Sequence, residues 1–108
     1  MPNQKYRSEA AREDLLLFAA GDTRKPVISY FSGITLRVRF GDAQQRIYAE
    51  YGENVAAFDF RGNLLEGSLP EKQRMYVAVW ADLRRGELAV LRQMMETVGE
   101  YFKIRGLD

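Results

Sequence analysis

The chain has 108 residues, 46% hydrophobic and 29% charged, with 16 basic and 15 acidic side chains and a formal charge of +1. That is the size and balance of one domain around one core, with no global positive field to attract nucleic acid or an anionic membrane. It contains no cysteine and no histidine, which excludes Cys/His zinc sites, thiol nucleophiles, haem ligation by histidine and any Ser-His or Cys-His pair.

Any catalysis would have to use carboxylates, Tyr, Lys, Arg or Ser, and no cofactor is expected. Met1 to Ala20 lacks the basic start and unbroken apolar stretch of a signal peptide. The longest apolar runs, such as Leu15 to Ala20, fall far short of the roughly 18 to 20 residues needed to span a bilayer. The expected compartment is the cytoplasm, with no membrane partner.

Along the chain, a polar start from Met1 to Arg7 precedes a short helix. Ser8 is its N-cap, Gly21 its stop, and Ala11, Leu15 and Phe18 its apolar stripe. Asp22 to Pro26 is a connector. Val27 to Phe31 reads as a strand, Ser32-Gly33 as a turn, and the next strand alternates Ile34, Leu36, Val38 and Phe40 with Thr35, Arg37 and Arg39. After a loop from Gly41 to Gln45, Ile47, Ala49 and Tyr51 alternate with Arg46, Tyr48 and Glu50. A turn at Gly52 to Asn54 leads to a strand that buries Ala56, Phe58 and Phe60 and turns Val55, Ala57 and Asp59 outward. Arg61 to Asn63 returns the chain into a short strand at Leu64 and Leu65. The period of two predicts an antiparallel meander of four or five strands with one wet face.

Pro70 and Glu71 open a helix that runs to about Arg85, with Tyr76, Val79, Trp80 and Leu83 as its stripe. Gly86 interrupts it, and Leu88, Leu91, Met95, Val98 and Phe102 continue at helical spacing. Val90, Met94 and Tyr101 widen that second stripe beyond what one sheet covers, so the remainder should pack on the N-terminal helix or on a second subunit. The predicted fold is α+β: a short N-terminal helix, the meander, then one long broken helix or two consecutive helices. It forms a single domain over 1–108, with an extension at 1–25, a core at 26–91 and a helix end at 92–108.

Six blocks resemble, in order and spacing, the bacterial family known as domain of unknown function 4160. They are Pro26-Val-Ile-Ser29, Phe31-Ser-Gly-Ile34, Ala49-Glu-Tyr-Gly52, Ala57-Phe-Asp59, Leu65 to Pro70, and Val79-Trp-Ala-Asp-Leu83 followed by Glu87-Leu88. The resemblance covers about Pro26 to Leu91. It implies a small α+β domain without an established reaction, found in two-gene modules of the toxin-antitoxin kind. Typical members carry a histidine-rich stretch, D-H-x-P-P-H-F-H, before A-E-Y-G and a further histidine after the tryptophan block. Here the stretch is Asp42-Ala-Gln-Gln-Arg-Ile-Tyr48, one residue shorter, and the later position is Arg84. Arg46 and Tyr48 take two of the histidine positions. Imidazoles there could bind a metal or move protons; their replacements cannot take over a metal site.

Two functional expectations follow. The first is a non-enzymatic interaction domain of a bacterial or phage protein, a homo-oligomer or a component of a two-gene module, with an interface built from Leu88, Leu91, Met95, Val98 and Phe102. The second is an RNA-directed toxin or nucleic-acid binder using Arg37, Arg39, Arg46, Tyr48 and Arg84, with Tyr48 stacking on a base and Glu50 as a general base if the chain cleaves RNA. Against the second stands the plainer reading that alternating charges merely solvate an open sheet face. Asp42, Glu50 and Asp59 form no tight magnesium motif.

Overall fold

The computed structural model describes residues 25–41 and 44–107. The expected N-terminal helix, and Asp42 and Ala43, lie outside the described residues. Five strands follow in chain order: β1 (Val27–Phe31), β2 (Ile34–Arg37), β3 (Ile47–Tyr51), β4 (Asn54–Phe58) and β5 (Leu64–Gly67). They form one sheet in the order β1-β2-β3-β4-β5, each strand antiparallel to the next. Two-residue turns, Ser32-Gly33 and Gly52-Glu53, close the first and third hairpins, since Phe31 pairs with Ile34 and Tyr51 with Asn54. Two helices, α1 (Glu71–Leu83) and α2 (Arg85–Thr97), complete the α+β fold.

The alternation read from the sequence selects the core face. Ile34, Leu36, Val38, Ile47, Ala49, Ala56 and Phe58 are all fully buried in one cluster with Phe31, Trp80 and Leu91. Phe40, Tyr51 and Phe60 pack against its margin. The ladder is shorter than the pattern: Val38 has left β2, though its N–H still donates to the Pro26 carbonyl at 3.2 Å.

Helix α1 is rotated from its expected stripe. Gln73, Val77, Trp80 and Ala81 face inward, whereas Val79 is 48% and Leu83 60% exposed. The reason lies partly in Gly62, in the turn before β5. It is buried with φ +91, and a Cβ there would meet Ala78 Cα at 3.0 Å and Ala81 Cβ at 3.1 Å. The turn therefore seats on the small side chains of α1, and only glycine combines that φ with that proximity. A hydropathy stripe scores Val79 and Leu83 above Ala78 and Ala81, although packing needs the smaller pair inside.

The helix break falls at Arg84 rather than Gly86, and the second helix is shorter than expected. It stops at Thr97 because Gly99 takes φ +70 and gives its N–H, with that of Val98, to the Met94 carbonyl. Residues 100–107 then run without regular secondary structure. This strap crosses back to β1: the Ile104 N–H donates to the Ile28 carbonyl at 2.6 Å, Ile104 is buried, and Gly106 lies against the Phe31 side chain. Trp80, wholly buried and stacked on Phe31 at 5.9 Å, donates its indole N–H to the Arg105 carbonyl at 2.9 Å. The strap thus closes the core where a longer helix would have pointed Phe102 elsewhere. Among the described residues, no helix is long and apolar enough to cross a membrane.

Candidate functional site

The outward face of the sheet is not uniformly wet. Tyr48, expected there as an exposed stacking platform, is 1% exposed, and so is its cross-strand neighbour Ala57; with Val55 they form a second small apolar cluster. A tyrosine flanked on its sheet face by Arg37 and Ala57 had looked like a surface residue by alternation alone. Alternation says which face a side chain leaves from and nothing about what lies over that face.

The expected arginines separate into two groups. Arg37 is held inside the fold: its Nε donates to Glu50 Oε2 at 3.1 Å and its Nη1 to the Lys25 carbonyl at 3.0 Å. Both partners of the ion pair are about four-fifths buried, at 20% and 18% exposure. This also occupies the Glu50 carboxylate, the residue considered as a general base. Arg84 is equally engaged, donating Nε to the Arg105 carbonyl at 3.1 Å and Nη2 to the Gly106 carbonyl at 2.7 Å. Arg39 is half-buried. These positions correct the expectation of a continuous basic sheet face extended by Arg84, because backbone carbonyls and Glu50 take the guanidinium donors first.

Of the expected nucleic-acid residues, Arg46 lines a groove of about 430 Å³. Two arginines not singled out from the sequence join it there. Arg61 comes from the β4–β5 turn, Arg92 from α2 and Arg46 from the residue before β3, so three separate parts of the chain each bring one arginine to the groove. Gln44, Gln45 and Asp59 add polar groups to the wall, and Phe60 and Leu65 supply its apolar part. The sequence places Arg61 in a turn and gives no signal for Arg92. Their convergence depends on how α2 lies over the sheet edge, for which no local motif exists.

Asp59 sets the shape of this groove. Its Oδ1 accepts the N–H groups of Arg61 and Asn63, both at 2.9 Å, and its Oδ2 accepts the Asn63 amide at 3.0 Å. Burial pushes its carboxyl up, but the bonds from Asn63 and Arg61 and the Arg61 charge outweigh that and hold it below the ordinary carboxylate range. The carboxylate is therefore a fastener for the turn that carries Arg61. Arg92 donates to Glu96 Oε2 at 3.2 Å across one helical turn, an exposed pair that a ligand can displace at little cost. Gln45 has a buried Oε1 with no hydrogen-bond partner among the described residues.

The expected interface residues also divide. Leu88, Leu91 and Met95 are buried in the core of their own chain and Phe102 packs against it, whereas Val98 is 63% exposed. They cannot form one seam, because the first three already cover the sheet. The surplus that widened the stripe is present on another flank of α2: Val90 is 51% exposed and Met94 half-buried. Comparison with protein families, with curated proteins and with solved structures finds no match for the chain.

Proposed function

We propose that the chain is a non-enzymatic interaction domain that pairs with a second copy of itself through an outward row along its two helices. The observation that carries this reading is a spacing. Met75, Val79, Leu83, Val90, Met94 and Val98 follow one another at intervals of four, four, seven, four and four residues. Met75, Val79, Leu83, Val90 and Val98 are between 48% and 63% exposed.

Steps of four keep each half of the row on one flank of its own helix, Met75, Val79 and Leu83 on α1 and Val90, Met94 and Val98 on α2 and its C-cap. At the break Arg84 belongs to both ends: its N–H closes α1 on the Trp80 carbonyl and its carbonyl opens α2 by accepting the Leu88 N–H, both at 2.9 Å. The spacing reads the same in both directions. A two-fold axis near Gly86 would set Leu83 against Val90 of the second copy, Val79 against its Met94 and Met75 against its Val98, the self-complementary arrangement an isologous contact requires. Gly86 is exposed with open space where a Cβ would stand, so no side chain obstructs the axis. A place in a two-gene module, implied by the family resemblance, is compatible with such a role.

Sedimentation velocity over a concentration series tests the proposal. The wild-type chain should shift from monomer to dimer as concentration rises, and Leu83→Glu with Val90→Glu should hold it as monomer with an unchanged circular dichroism spectrum. A wild-type chain that stays monomeric at its solubility limit, or a double variant that dimerises equally well, would overturn it.

A further inference from the structure

We infer that the arginine groove binds a nucleoside phosphate, through its phosphate and its base together. The inference stands apart from the dimer row. On α2, Arg92 is two residues from both Val90 and Met94, about 200° around the helix, and so on the opposite flank.

Arg46, Arg61 and Arg92 reach the groove from three parts of the chain, and a guanidinium fork is the side chain best shaped for two-point contact with phosphate oxygens. Among the described residues, the one carboxylate lining the groove, Asp59, already accepts three hydrogen bonds from its own turn. Its Oδ1 is thus engaged by the backbone and its Oδ2 by the Asn63 amide before either competes for the arginines.

Beside the arginines stand Phe60, half-buried, and Leu65, 45% exposed, an apolar wall on which a planar base can lie. Gln45 adds the element that a bare anion would not use. Its Oε1 is buried without a donor among the described residues, a state that leaves a polar atom desolvated and uncompensated until an N–H reaches it. The exocyclic amine of adenine, cytosine or guanine is such a donor. A volume of about 430 Å³ accommodates one ligand of this size and falls within the range of roughly 300 to 1,000 Å³ usual for small-molecule sites. The same chemistry is offered by a free mononucleotide and by one residue of a single-stranded RNA.

Amide chemical-shift titrations of the full chain test this with adenosine 5′-monophosphate, adenosine, inorganic phosphate and a short oligoadenylate. The monophosphate should perturb the amides of Gln45, Arg46 and Arg61 and saturate. Adenosine and phosphate alone should each bind roughly tenfold or more weakly, the loss expected for charge-assisted bonds on one side and base contacts on the other. Arg61→Ala and Arg92→Ala, both at exposed positions, should lower affinity by a similar factor with the remaining spectrum unchanged, and Gln45→Leu should remove the preference for the monophosphate over phosphate. Tighter binding of the oligonucleotide assigns the site to RNA, and equal binding assigns it to free nucleotide. Failure of both the monophosphate and the oligonucleotide to bind would overturn the inference, as would phosphate binding as tightly as the monophosphate or unchanged affinity in both arginine variants. Sedimentation of the same variants separates this result from the dimer proposal, since neither arginine belongs to the helical row.

Discussion

Arg84 and Arg92 stand eight residues apart on the same pair of helices and do opposite things. The first sits at the break between α1 and α2 with its guanidinium on the carbonyls of Arg105 and Gly106, so it fastens the C-terminal strap. The second lines an open groove with Arg46 and Arg61 and, among the described residues, is held by an exposed partner one turn away. What separates them is the supply of backbone acceptors. The strap ends without strand or helix partners for its carbonyls, and those groups demand donors. The groove is walled by a turn whose carboxylate, with the Asp59 and Asn63 carbonyls, already has donors from within the turn, which leaves the arginines beside it available. An arginine's role here follows from the unpaired acceptors nearby more than from its own chemistry.

The strongest way to break the comparison acts on the strap. Trp80→Ala removes a wholly buried side chain, its stacking on Phe31 and its bond to the Arg105 carbonyl. It should cost about 3–5 kcal/mol in urea unfolding. A loss below about 1 kcal/mol would mean that the strap and core are not coupled as described.

Arg84→Ala comes next. It leaves the Gly106 carbonyl without its donor and the Arg105 carbonyl with only the indole N–H, and should cost about 1–3 kcal/mol. The loss should be local: faster hydrogen exchange at Ile104, whose N–H bonds to Ile28, with nucleotide titration of the groove unchanged. If the groove weakened instead, the division between fastening and available arginines would fail.

The smallest effect sharpens the other side of the comparison. Because the folded Asp59 carboxyl lies below its unfolded value, its contribution is fully present above the ordinary carboxylate range and is lost as pH falls through the lower, folded value. Below that, the turn carrying Arg61 should loosen, seen as acid-induced shift changes at the Arg61 and Asn63 amides. Asp59→Asn should flatten that acid response while leaving the exchange of Ile104 untouched.

Much of the fold was legible because it depends on local pattern. Ile34, Leu36 and Val38, then Ile47 and Ala49, then Ala56 and Phe58, reach the core as the period of two requires, and five strands in simple meander order need no long-range information beyond short turns. The helices were legible in existence and place. The inward face of α2 was legible too, as the stripe of Leu88, Leu91 and Met95, but that of α1 was not, since its rotation is set by Gly62 seating on Ala78 and Ala81, a contact between residues at least sixteen apart. Periodicity also does not say what covers a face, so the stripe at Leu88, Leu91 and Met95 serves the core in place of the expected interface, and Tyr48 is buried.

By itself, then, the sequence determined the α+β class, the antiparallel meander, the inward set of each strand and the exclusion of cysteine and histidine chemistry. These follow from composition and from side-chain periodicity, which are properties of neighbouring residues. Only the tertiary structure decided which arginines are fasteners and which are available, where the second helix ends and what the strap after it covers. Those outcomes depend on carbonyls, turns and small side chains brought together from distant positions, and hydrogen bonding and close packing act across space without leaving a period in the chain.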